Sequence, residues 1–138
     1  MASSVDPEEV ARAGIDAYNA GDAAGMLAQL SQDVEVFAAP ELANSGRFHG
    51  HDGFLRWISE WTDAWEDIAA EVTRTILVGE RQVVVATHQT GRGRSGIEVS
   101  MDLAFLFDIR EDGLCSYLAM LPDPDEAVAL AREREARV

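Results

Sequence analysis

From Ile97 to Ile109 every odd position is apolar (Ile97, Val99, Met101, Leu103, Phe105, Phe107, Ile109), whereas the even ones run Glu98, Ser100, Asp102, Ala104, Leu106, Asp108. Side chains alternate across a strand with period two, so this pattern predicts one long strand with a single buried face. Burying its apolar row is worth about 10 to 20 kcal/mol as an upper bound, at ~1.5 to 3 kcal/mol per side chain. A lone strand has no access to that energy. The chain must therefore supply a cover of helices.

The same patterning locates that cover. Asp6-Pro7-Glu8-Glu9 combines an N-cap carboxylate, proline at the first helical position and Glu at the third, predicting a helix from Pro7 to about Ala20. Gly21 ends it, Asp22 caps the next turn, and Ala23 to Leu30 forms a second short helix. Val34, Val36 and Ala38 alternate with Glu35 and Phe37 in a first short strand. From Asp52 to about Trp65, Phe54, Leu55, Trp57, Ile58, Trp61 and Trp65 recur at three- and four-residue spacing, a third helix with a wide aromatic face that serves as lid for the sheet. Ile68 to Val78, Gln82 to Thr90, Ile97 to Ile109 and Leu114 to Leu121 follow as strands of an antiparallel meander. Asp123-Pro124-Asp125-Glu126 repeats the opening device and starts a last helix through Ala136, whose Arg132-Glu133-Arg134-Glu135 run reads as a solvated face. Helices followed by a long antiparallel sheet make an α+β fold, and no linker or repeat divides residues 1–138 into more than one domain.

Charge narrows the partners. With 11 basic against 25 acidic residues the formal net charge is -14, which repels phosphate backbones and anionic lipid surfaces, so neither nucleic acid nor membrane is an expected partner. The N-terminus carries acidic Asp6, Glu8 and Glu9 rather than a basic region and apolar run, and no stretch approaches ~18 uninterrupted apolar residues, so a cytoplasmic protein is expected. The single cysteine, Cys115, lies in an apolar stretch and reads as a small packed hydrophobe.

Ala17-Tyr18-Asn19-Ala20-Gly21-Asp22, the later Leu27, Leu30 and Asp33-Val34-Glu35-Val36, and Phe48-His49-Gly50-His51-Asp52-Gly53 opening a helix together resemble the SnoaL-like polyketide cyclase and ketosteroid isomerase group of the nuclear transport factor 2 superfamily. The resemblance runs from about Val10 to Ala129. It implies a cone-shaped α+β barrel, a strongly bent antiparallel sheet packed around N-terminal helices, with a pocket at the open end and a homodimer as the usual assembly. It implies much less about activity, because isomerases, cyclases, dehydratases, epoxide hydrolases and non-catalytic modules share the fold. Ketosteroid isomerase itself needs an Asp base and an oxyanion hole of Tyr plus protonated Asp. The resemblance sets those positions on Ala38, Phe105 and Gly14, with a supporting Tyr on Ile58, and a shift of one residue either way finds no Asp, Glu or Tyr. Steroid isomerisation by that route is excluded.

Among the remaining polar residues His88 is the candidate base or hydrogen-bond donor, since the family register puts Val84, Ala86, His88 and Thr90 on the concave side. The alternate register, with Val83, Val85 and Thr87 inward, leaves His88 structural or solvated. His49-Gly50-His51-Asp52 lacks third and fourth ligands at metal-site spacing and reads as a lead into a helix, so neither a metal nor a cofactor is expected. Asp102 falls on the polar face of its strand. Gly91-Arg92-Gly93-Arg94-Ser95-Gly96 matches G-x-G-x-x-G, but it leads into a strand rather than a helix and reads as a hairpin tip with two solvated arginines. Phe54, Trp57, Ile58, Trp61, Met101, Leu103, Phe105, Leu118 and Met120 are the expected lining of an apolar cavity for a small hydrophobic or aromatic ligand. Two alternatives stand beside a ligand-binding pocket: an isomerase, cyclase or hydratase-like enzyme using His88, and a non-catalytic dimeric assembly domain with a filled core.

Overall fold

The computed structural model describes residues 6–42 and 45–136. Its order is α1 (Pro7–Ala20), α2 (Ala23–Ala28), β1 (Leu30–Ala38), β2 (Gly46–His49), α3 (Gly50–Asp63), β3 (Trp65–Val78), β4 (Gln82–Gly93), β5 (Glu98–Ile109), β6 (Cys115–Leu121) and α4 (Pro124–Ala136). The fold is α+β, with one six-stranded curved sheet ordered β2-β1-β6-β5-β4-β3. β3 to β6 form the expected antiparallel meander. β1 joins it by pairing parallel to β6, and β2, absent from the sequence reading, adds an antiparallel edge of four residues.

Local chemistry sets the helix ends. Asp6 accepts from the backbone N–H of Glu8 at 3.0 Å, Asp22 from that of Gly25 at 2.9 Å, and Asp123 from that of Glu126 at 2.9 Å. Gly21 closes α1 at φ 66°, the left-handed conformation that costs glycine nothing. Asn19 then docks that end: its side-chain amide donates to the carbonyl of Ala70 at 2.8 Å, and its carbonyl accepts from the N–H of Ala70 at 2.7 Å. An amide side chain here imitates a strand partner for β3.

The sheet carries a core on each face. Between the sheet and α1 to α3 lie Ile15, Val34, Val36, Phe54, Trp57, Trp61, Val83, Val85, Phe105 and Phe107. Beneath α4, on the opposite face, Val84, Ala104, Leu106, Tyr117 and Ala119 pack against Ala127 and Ala131. The expectation of a single buried face on the Ile97 strand therefore needs correction at both ends. Ala104 and Leu106 are fully buried although they sit on the even face, while Ile97 is 65% exposed because the helical cover stops short of it. Cys115 is fully buried, donates its thiol to the Tyr117 carbonyl, and is pushed up to about 12 by burial.

Bulges bend the sheet. In β3 the register shifts between Val72 and Arg74, so Ile68, Ala70 and Val72 face the inner core, whereas Ile76 after the bulge packs in the outer one. Trp65, expected on α3, instead opens β3; its ring still meets Trp61 at 5.7 Å between centroids. Gly91 pays for that contact with its own side chain: a Cβ there would lie 2.9 Å from the Asp67 carbonyl oxygen and 3.0 Å from the Trp65 ring.

Candidate functional site

The inner core does not close completely. A cavity of about 40 Å³ remains between the helices and the sheet. Helix α1 contributes Gly14, Ile15 and Tyr18, α2 and its end contribute Met26 and Gln29, and α3 contributes Phe54, Trp57, Ile58 and Trp61. The sheet closes the far side with Leu30, Phe105, Phe107, Leu118 and Met120. These positions follow from period 3.6 on α3 and period two on β5 and β6, which send their apolar residues to one side.

Seven of the residues expected to line a cavity are thus brought together: Phe54, Trp57, Ile58, Trp61, Phe105, Leu118 and Met120. Leu103 and Met101 are not in the wall. Leu103 is buried in the inner core further along β5, and Met101 packs partly buried against that core. Both share the inward parity of Phe105 but lie beyond the cavity along the strand.

A polar relay crosses this apolar surrounding. Trp61 Nε1–H donates to Tyr18 Oη at 2.8 Å, and Tyr18 O–H donates to Gln89 Oε1 at 2.9 Å. Gln89 is fully buried and its amide reaches the Thr87 hydroxyl at 3.4 Å; that hydroxyl donates to the Leu103 carbonyl at 2.8 Å. Burial pushes the Tyr18 hydroxyl up to about 12, against the smaller opposing pull of the Trp61 hydrogen bond, so it stays protonated throughout the neutral range. Tyr18 and Gln89 escaped the sequence reading as site residues. The spacing Ala11, Ile15, Tyr18 was a signal for the first, because it sets Tyr18 on the buried face of α1. Nothing local signalled Gln89, whose side depends on the register of β4.

That register also decides His88. Val85 pairs with Phe105 in the inner core and Val84 with Leu106 in the outer one, so Val83, Val85, Thr87 and Gln89 face inward. His88 shares the parity of Val84 and lies on the outer face, away from the cavity. The expectation of a pocket-facing His88 is corrected accordingly. Its Nδ1 meets Asp102 Oδ1 at 2.7 Å across the strand pair, with His88 43% and Asp102 80% exposed. Exposed pairs of this kind contribute about 0.2 to 1 kcal/mol. His88→Ala is therefore expected to cost less than about 1 kcal/mol in urea unfolding and to leave any binding in the cavity unchanged; a loss of cavity binding would refute this placement.

The other motifs are structural. His51 Nε2 lies 3.1 Å from the Leu30 carbonyl and ties the start of α3 to β1, with Gly50 at φ 71° turning the chain from β2 into α3. Among the described residues, no cluster of three or more His, Cys, Asp or Glu is placed to hold a metal ion, and no helix is long and apolar enough to cross a membrane. The two arginines of the glycine-rich hairpin are not free in solvent as expected. Arg92 pairs with Asp67 at 2.9 Å and Glu66 at 3.5 Å, and Arg94 donates to the Asp63 carbonyl at the end of α3.

A family model described as a SnoaL-like domain matches residues 11–118. TerC, in a structure co-crystallised with polyporic acid, is similar at a TM-score of 0.75 and 19% identity, over 87% of this chain and 93% of that one. A nuclear transport factor 2-like protein of unknown function from Burkholderia pseudomallei gives a TM-score of 0.76 and 20% identity over 90% and 95% of the two chains. A protein of ketosteroid isomerase-like fold from Catenulispora acidiphila, in complex with trimethylamine, gives 0.70 and 13% over 81% and 83%. At these identities the likeness is one of fold. No curated protein matches the sequence.

Proposed function

This chain belongs to the SnoaL-like domain family, and from that premise we propose that its interior binds a small, mostly apolar molecule no larger than a single ring, without acid–base chemistry on it. The observation that carries the proposal is the make-up of the cavity wall, which among the described residues holds neither carboxylate nor imidazole. Three of the positions that the ketosteroid isomerase comparison singles out, Gly14, Ile58 and Phe105, belong to that wall and carry no proton-transferring group. Tyr18, the ionisable group in the wall, is held protonated and its hydroxyl is engaged at both ends. A wall of this kind holds an apolar body by dispersion and desolvation; it has no base to take a proton from carbon.

Volume limits the ligand. About 40 Å³ is room for about three waters, at roughly 10 to 15 Å³ each. A ring therefore enters only with movement of flexible wall residues, for which the unbranched side chains of Met26 and Met120 are suited. Three- and four-ring molecules are expected not to bind, because they need far more movement of the wall. Trp57 and Trp61 both line the cavity, so tryptophan emission reports on occupancy. Titration of single-ring compounds is expected to change that emission saturably and, at about 100 times the dissociation constant, to add ~2.7 kcal/mol of stability in thermal unfolding. Steroids are expected to do neither. No response from any single-ring compound would sink the proposal.

A second reading, a homodimeric assembly domain, draws support from the same small volume and from the part of the outer face that α4 leaves open, where Glu98, Ser100 and Asp102 are exposed. Light scattering decides it: a monomer at micromolar concentration removes this reading.

A further inference from the structure

Trp57 is 2% exposed and forms part of the cavity wall, yet its indole N–H has no hydrogen-bond acceptor among the described residues. Its neighbour one turn along α3 behaves differently: Trp61 donates to Tyr18 Oη, and the Tyr18 proton is in turn given to Gln89. The relay runs on through Gln89 and Thr87 to the Leu103 carbonyl and does not include Trp57. Trp65 Nε1 is also unpartnered, but Trp65, at the start of β3, is not part of this cavity's wall. A buried N–H without an acceptor is costly, and native proteins rarely leave one without a use.

We propose that the ligand itself supplies the acceptor for Trp57 Nε1–H, so that the cavity selects neutral carbonyl compounds over hydrocarbons of the same shape. The inference rests on the binding reading above and sharpens it to a ligand class. Neutrality follows from the wall, which carries no cationic side chain to pair an anion and no carboxylate to pair a cation. A buried charge without a partner is far more costly than a buried neutral dipole. The net charge of -14 disfavours anions further. The carbonyl oxygen suits an indole donor because it accepts in the plane of its own substituents; Trp57 Nε1 is sealed, so the oxygen reaches it with the same movement of wall residues that admits a ring.

Cyclopentanone and methylenecyclopentane differ in C=O against C=CH2 and little in shape, so they are the test pair. The first readout is the indole N–H signal of Trp57 in the ¹⁵N-labelled full chain, assigned through contacts with the Phe54 ring, whose centroid lies 5.9 Å from that of Trp57. Cyclopentanone is expected to move this signal downfield, and methylenecyclopentane is not. The second is the ratio of the two dissociation constants, which is expected to shift against the ketone by roughly three- to tenfold in Trp57→Phe. Should that variant fail to fold, the wild-type signals decide alone. Binding of both compounds with no differential effect at Trp57 overturns the inference and leaves the binding reading intact. Binding of neither overturns the inference, and the binding reading then stands or falls on the wider single-ring titration.

Discussion

Trp61→Ala is expected to lower the free energy of unfolding by about 3 to 5 kcal/mol, the range for removing a buried Trp or Phe side chain from a packed core. Trp61 is 6% exposed and sits where three elements meet: its own helix α3, the Trp65 ring at the start of β3, and Tyr18 on α1. Truncation to alanine removes the apolar body and leaves a hole that the rigid sheet behind it fills poorly. It also strips Tyr18 Oη of its donor. Trp61→Phe separates the two contributions, because it keeps most of the ring and deletes the N–H; its expected cost is about 0.5 to 1.5 kcal/mol. Urea unfolding followed by far-ultraviolet circular dichroism measures both without depending on the tryptophan that is removed. A loss under about 1 kcal/mol for Trp61→Ala would mean that α3 is not the close-packed lid described here.

Leu106→Ala is expected to cost about 2 to 5 kcal/mol, and Ile97→Ala, just before the same strand, less than about 0.5 kcal/mol. The alternation along β5 predicts the reverse, since Ile97 belongs to the apolar row and Leu106 to the other side. Leu106 is fully buried, pairs with Val84 on β4 and Ala119 on β6, and lies in the core beneath α4. The alanines at 127 and 131 let the helix backbone approach closely, so a truncated Leu106 leaves space that no longer side chain can occupy. Ile97 is 65% exposed immediately before β5 and loses little. Equal effects in denaturant unfolding would show that α4 does not seal this face.

The two variants mark where the sequence was legible and where it was not. Helix starts at Pro7 and Pro124 were readable because a cap is made within three residues, and Asp6 and Asp123 accept the expected backbone N–H groups. The aromatic face of α3 was readable because residues at three- and four-residue spacing share a side whatever surrounds them. Trp65 was misplaced because an apolar residue one turn beyond the last does not reveal that the helix has ended; it keeps its contact with Trp61 from a strand. Only seven of the nine expected cavity residues line the space, since parity orients Met101 and Leu103 inward but says nothing of how far the cavity extends.

The sequence by itself determined the α+β class, the helix caps and the strands of the meander, all of which rest on chemistry within a few residues or on a periodic pattern, and its motifs carried the resemblance to the family. Which side of each strand would be covered, and by what, was decided by the tertiary structure. Period two states that His88 and Gln89 face opposite ways; it does not state which way is in. That choice came from pairing Val85 with Phe105 and Val84 with Leu106, from a bulge in β3, and from α4 folding back over the outer face. The relay from Trp61 through Tyr18 to Gln89 joins three elements far apart in the chain, and no local rule brings such residues within 3 Å of one another.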